Sequence, residues 1–134
     1  MNLYAGQDRE QLRAAWRESW RRHQQGLPLE PLQLQMSALI KMHPEYAPQL
    51  DDARPVEGTD AFLHLALHLA LREQLATNRP PGISQVYARL VSAHGDAHTA
   101  EHRMIEALGR VLWDAQRAGR APDERVYLEM LNRL

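Results

Sequence analysis

An all-α fold, a single-domain helical bundle of about five to six helices, is what this sequence predicts, and three observations predict it. Apolar residues recur at three- and four-residue spacing through several segments, and no segment alternates with the period of two that a strand needs. Gly and Pro fall between those segments rather than inside them. At 134 residues, with 44% hydrophobic and 25% charged, the chain has globular composition and the length of one domain over residues 1–134.

Each element follows from its own signals. Asp8 to about Gln25 is expected as the first helix, with Leu12, Trp16 and Trp20 on one face and Gly26 as its stop. Pro31 suits the first turn of a second helix, which ends near Met42 because His43 precedes Pro44 and leaves helical geometry. Glu45 to Gly58 reads as a loop, with Pro48, Pro55, Asp51 and Asp52. Thr59 or Asp60 caps a third helix to about Thr77, apolar almost all round between Phe62 and Leu71, as a central helix would be. Pro80, Pro81 and Gly82 break the chain before a fourth helix with Ile83, Val86, Tyr87, Leu90 and Val91 on one stripe, ending at Gly95. Asp96 caps a fifth helix to about Ala118, stopped by Gly119, and Pro122 opens a short last one.

Seven histidines are the unusual feature, and their placement matters more than their number. Helical residues four apart differ by roughly 40° in direction, so His64 and His68 share one side of the third helix and His98 and His102 one side of the fifth. His43 continues the stripe Leu32, Met36, Leu39 of the second helix. Five histidines thus lie on apolar faces. Glu73 falls roughly 180° from His64 and faces away from that pair. Glu101 falls inside the arc of Met104, Leu108, Val111 and Ala115, roughly 60° from His98. A carboxylate there needs a cation, a hydrogen-bond donor or a metal. Glu106 lies on the other side, bordering Arg103 and Arg110, and reads as a ligand, a partner of a ligand or an Arg partner. His23 and His94 sit at helix C-termini, where a cation is favourable, and read as surface residues.

Imidazoles with carboxylates suit Zn, Fe, Cu, Ni or Mn, and bundle cores are where facing helices supply them. The candidate metal site is His43, His64, His68, His98, Glu101, His102 and Glu106. Five histidines and a carboxylate exceed the three or four protein ligands of a single zinc site, so iron, as one or two non-haem ions, is favoured and zinc is the alternative. The bland reading is a hydrogen-bonded core network, which is how a lone core histidine is usually satisfied. Five imidazoles on three helices leave far more polar atoms to satisfy than one does.

Other signals exclude function classes. The net charge of −1 gives no field that points to nucleic acid or an anionic membrane surface. No run approaches the roughly 18 apolar residues of a membrane span, and Met1 to Arg13 lacks a secretory apolar core, so a cytoplasmic location is expected. The absence of Cys removes disulfides, thiolate metal sites and Cys nucleophiles. Arg9, Arg13, Arg17 and Arg21 form a basic stripe beside Trp16 and Trp20, read as a solvated face rather than a phosphate-contacting one.

His98-x-x-Glu101-His102 resembles the H-x-x-E-H motif of inverted zinc peptidases, which are far larger chains. His43-Pro44-Glu45-Tyr46, Phe62 to Ala70 with His64 and His68, Glu73-Gln74-Leu75 and Pro80-Pro81-Gly82-Ile83 form a spaced set, completed by His98 with His102, Glu106 and Trp113-Asp114-Ala115-Gln116-Arg117. On these stretches, across nearly the whole chain, the sequence resembles a bacterial family of domains of unknown function, number 1841. The resemblance implies a one-domain bacterial protein and brings no activity. The family pattern also admits Gln where this chain has Glu101, which shifts weight to Glu106.

Four function classes follow. The first is non-haem iron chemistry, with dioxygen or redox handling or metal sensing. The second is a zinc-dependent hydrolase with Glu101 as general base on a metal-bound water. The third is a non-enzymatic interaction module whose histidines only pack. A haem protein is the fourth, and it would leave three buried histidines without a role. Neither a substrate nor a choice between monomer and homodimer follows from the residues.

Overall fold

The structure, a computed structural model, describes residues 7–51 and 61–134. The expected cap at Thr59 or Asp60, and Asp52 to Gly58 of the expected loop, lie outside the described residues. Among the described residues there are seven α-helices and no strand. They are α1 (Gln7–Gln24), α2 (Pro31–Lys41), α3 (Ala47–Asp51), α4 (Ala61–Thr77), α5 (Ile83–His94), α6 (Ala97–Ala118) and α7 (Glu124–Asn132). The all-α expectation holds, and the number of helices is higher than five to six. The difference is α3, a five-residue helix in the stretch expected to be a loop, entered through a 3-10 turn at Pro44–Tyr46. Proline in a first turn leaves no orphaned N–H, so Pro44 starts helical structure as readily as it stops α2.

The chain divides into two compact units, residues 2–69 and Ala70–Leu134, with the division inside α4. In residues 2–69, α1 packs on α2 and α3. Their core is Trp16, Met36, Leu39, Ile40, Leu50, Phe62 and Leu65. Trp16 is wholly buried and anchors it, a burial of the kind that costs about 3 kcal/mol or more to truncate. Ser37 Oγ donates to the carbonyl of Ser19 at 3.2 Å, and Ser19 Oγ donates to the carbonyl of Ala15 at 2.9 Å. Leu32, expected on the inward stripe of α2, is exposed, and that stripe begins at Met36. On α1, Arg13 and Arg17 lie over the ring of Phe62, their guanidinium carbons 5.3 and 5.1 Å from its centre. Part of the basic stripe therefore covers the core rather than meeting solvent.

In Ala70–Leu134, α6 packs on α5 and on α7. Left-handed glycines end α5 at Gly95 and α6 at Gly119, as expected. The Asp96 side chain caps α6 by accepting from the Thr99 N–H at 3.0 Å. Asp123, rather than Pro122, opens α7, because its carboxylate accepts from the N–H groups of Arg125 and Val126. The arc Met104, Leu108, Val111 and Ala115 is buried on α6, and Tyr127 and Leu131 are buried on α7. The Tyr127 hydroxyl donates to Gln74 Oε1 at 2.7 Å. No helix among the described residues is long and apolar enough to cross a membrane.

Candidate metal centre

Local sequence sets the first histidine. Pro44 forces His43 out of α2, and the His43 N–H closes on the carbonyl of Ile40 at 2.9 Å. The ring turns inward and is 2% exposed. Its Nδ1 lies 2.8 Å from the carbonyl of Leu39. A carbonyl only accepts, so Nδ1 carries the proton and Nε2 of the neutral ring is a lone pair aimed away from the backbone. The 3-10 turn then folds Tyr46 back. Its N–H reaches the His43 carbonyl at 3.0 Å, and its ring stacks on the His43 ring at 5.4 Å with planes 8° apart.

His64 and His68, one turn apart on α4, meet that lone pair. Nε2 of His64 lies 3.2 Å from Nε2 of His43 and 3.2 Å from Nε2 of His68. The three ring centres are 4.6 to 4.9 Å apart. His68 is fully buried and His64 partly so. A ring nitrogen either donates or accepts, never both. With His43 neutral, a single N–H of His64 would have to be shared between two lone pairs, or one ring would have to be a buried cation. A metal ion accepts all three lone pairs at once. Ligand nitrogens about 2.0–2.1 Å from a tetrahedral ion stand about 3.3 Å from one another, close to the spacing observed.

In Ala70–Leu134, His98 lies in the first turn of α6, directly after its cap, and His102 lies one turn on. Their rings are 4.1 Å apart between centres, inclined by 59°, and both are half-buried. His43, His68, His98 and His102 each offer a ring nitrogen able to ligate a metal ion.

The two acidic candidates separate. Glu101 is 5% exposed within the apolar arc, as the helical spacing requires. The cation it needs is Arg72 of α4, whose Nε and Nη2 donate to its two carboxylate oxygens at 3.1 and 3.4 Å. Tyr87 of α5 feels this pair. Burial raises its hydroxyl pKa first, with a further rise from Glu101 and an opposing pull from Arg72. Glu106 is exposed, as is Glu73. His94 is exposed, whereas His23 is half-buried and stacks on Trp20 at 5.3 Å rather than standing free on the surface.

Sequence spacing missed two participants. Tyr46 packs on His43 and meets His64 edge-on at 5.7 Å, and burial pushes its phenol pKa up, with a smaller push from Glu45. Nothing periodic marks it, because it follows a proline in a stretch that reads as loop. Arg72 was equally silent, since no spacing rule links a residue of α4 to one of α6.

Comparison with known proteins gives one match. A family model described as a domain of unknown function (DUF1841) covers residues 8–133. No curated protein and no solved structure matches the chain.

Proposed function

The chain belongs to this family of domains of unknown function, and we propose that it binds a transition-metal ion through its core histidines and carries out dioxygen or redox chemistry there. The observation that carries this reading is the pair of 3.2 Å separations among Nε2 of His43, His64 and His68, which protons satisfy poorly and an ion satisfies well. In Ala70–Leu134, His98 and His102 are assigned as a second pair of imidazole donors. Iron is the first assignment and zinc the alternative, because imidazole suits both. A pair of irons would need a bridging carboxylate. Glu101 is engaged by Arg72 and Glu106 is exposed, so the proposal is one ion per chain.

Neutral imidazoles leave the charge of the ion uncompensated, which favours a small anionic or polarisable ligand such as peroxide or dioxygen. The hydrolase reading needs a free carboxylate as general base, and the buried carboxylate of α6 is held by a guanidinium. It becomes the better reading only if zinc is found.

The test is elemental analysis and absorption spectroscopy of untagged protein purified from iron-replete cells. The expected result is about one iron per chain, carried through gel filtration. About one zinc in a colourless protein would promote the hydrolase. Less than about a tenth of an equivalent of any metal, unchanged after reconstitution, would leave a packing role for the histidines.

A further inference from the structure

Within Ala70–Leu134 the end of α4, the middle of α6 and the start of α7 form a cavity of about 660 Å³, a size at which small-molecule sites occur, about 300–1,000 Å³. Its floor is apolar. Ala70, Pro80, Leu108 and Val111 are buried there, and Leu112 is half-buried. Its mouth is charged: Glu73, Asp123 and Glu124 stand exposed against a single cation, Arg79. No ion pair among the described residues engages Glu73 or Glu124. Asp123 is set in place by capping α7, its Oδ1 accepting from the N–H groups of Arg125 and Val126 at 2.9 and 3.4 Å.

The hydroxyls on the wall already direct their hydrogens inward. Tyr127 donates to Gln74 Oε1 at 2.7 Å, and Thr77 Oγ1 donates to the Glu73 carbonyl at 3.0 Å. What each oxygen still offers a ligand is a lone pair. The two prolines of the wall, Pro80 and Pro122, have no N–H to give. The positive end of the α7 dipole opposes a cation, but Asp123 and Glu124 lie on that end and offset it. We propose that this cavity binds a primary ammonium ion carrying an apolar body. The body rests on the floor of Leu108, Val111 and Leu112, and the ammonium N–H groups donate to the Tyr127 oxygen and the carboxylates of the mouth. A carboxylate or phosphate would meet like charge. A quaternary ammonium would have no N–H to give, and Tyr127 is the one aromatic ring for it among the described residues of the wall. The site involves none of the histidines, so it stands apart from the metal-binding reading.

Titration of the isotope-labelled full chain with phenylbutylamine, phenylbutyrate, phenylbutanol and methylammonium, followed by amide NMR shifts, tests this. The amine should saturate the chain below about 10 mM, a modest affinity for a ligand of its size. Its shifts should centre on Leu112, Asp123 and Tyr127. The butyrate should bind at least about tenfold more weakly through like-charge repulsion, and methylammonium, which has no apolar body, should not saturate. Glu73→Gln combined with Glu124→Gln should weaken the amine by about fivefold to tenfold, the scale of two exposed ion pairs. Glu129→Gln removes an exposed carboxylate outside the cavity and should change nothing. If the double variant does not fold, the two single variants carry the same comparison. Failure of the amine to saturate overturns the proposal, as do shifts centred elsewhere. Equal affinity for the butyrate or the butanol, or an equal loss in Glu129→Gln, overturns it as well.

Discussion

In residues 2–69 three imidazoles meet although one helix and a proline turn supply them; in Ala70–Leu134 two imidazoles meet because they are four residues apart on one helix. The first set depends on tertiary packing. His43 is aimed by the carbonyl of Leu39 and backed by Tyr46, so its lone pair has a fixed direction before any ion arrives. The second set depends on helix geometry and on the Asp96 cap that starts α6 just before His98. Pre-aimed ligands lose little freedom on binding, which is why supporting hydrogen bonds commonly govern metal affinity as much as ligand count does. The trio should therefore bind a metal ion more tightly than the pair does.

The largest effect should come from removing members of the trio. His68→Ala and His43→Ala are expected to lose metal outright, more than about a hundredfold in affinity, by the scale on which ligand and supporting groups act. His98→Ala and His102→Ala should weaken metal binding to a smaller extent. His23→Ala, His94→Ala and Glu73→Gln should retain full occupancy. Isothermal titration across the set decides. Greater sensitivity to His102→Ala than to His68→Ala would invert the comparison.

A smaller effect belongs to Tyr46. Its ring backs His43, while its hydroxyl has no assigned duty in that contact. Tyr46→Phe should leave affinity unchanged, and Tyr46→Ala should weaken it by about tenfold, the low end of what supporting residues cost. If Tyr46→Phe matched Tyr46→Ala, the hydroxyl rather than the stack would be the operative group.

These residues also mark what the sequence can and cannot convey. The pairs His64–His68 and His98–His102 are legible because a helix imposes its own spacing, and so is the burial of Glu101 within the arc of α6. The helix ends at Gly95, Asp96 and Gly119 are legible because left-handed glycines and capping carboxylates act within a few residues. The inward turn of His43 is half legible: Pro44 predicts that the chain leaves the helix, but the direction of the ring comes from the Leu39 carbonyl and Tyr46. Arg72 facing Glu101 is a contact across 29 positions. No local rule reaches that far. The expected loop became α3 for a related reason, since Pro44 and Pro48 can begin short helical turns as well as end long ones.

The smallest expected effect tests whether Ala70–Leu134 has stability of its own, independent of any ion. Tyr127 is buried on α7 and donates to Gln74 at 2.7 Å. Tyr127→Phe should cost about 1 kcal/mol near neutral pH, the usual net worth of such a bond. Burial raises the Tyr127 hydroxyl pKa well above its ordinary value of about 10. A raised value in the folded chain means that the folded state holds its proton when the unfolded chain has lost it. The associated stability is therefore fully present below about pH 10 and is lost as pH rises from there toward the folded value. Tyr46 and Tyr87 contribute slopes of the same sign, but they are common to both proteins, so the difference between wild type and Tyr127→Phe isolates Tyr127. Denaturant melts with chelator at about pH 8 and about pH 10.5 should show the wild-type advantage shrinking at the higher pH. An advantage that stayed constant would mean that Tyr127 ionises in the folded chain as easily as in the unfolded one, and that α7 does not shield it. An advantage that vanished on chelation at about pH 8 would mean that the second unit depends on the ion after all.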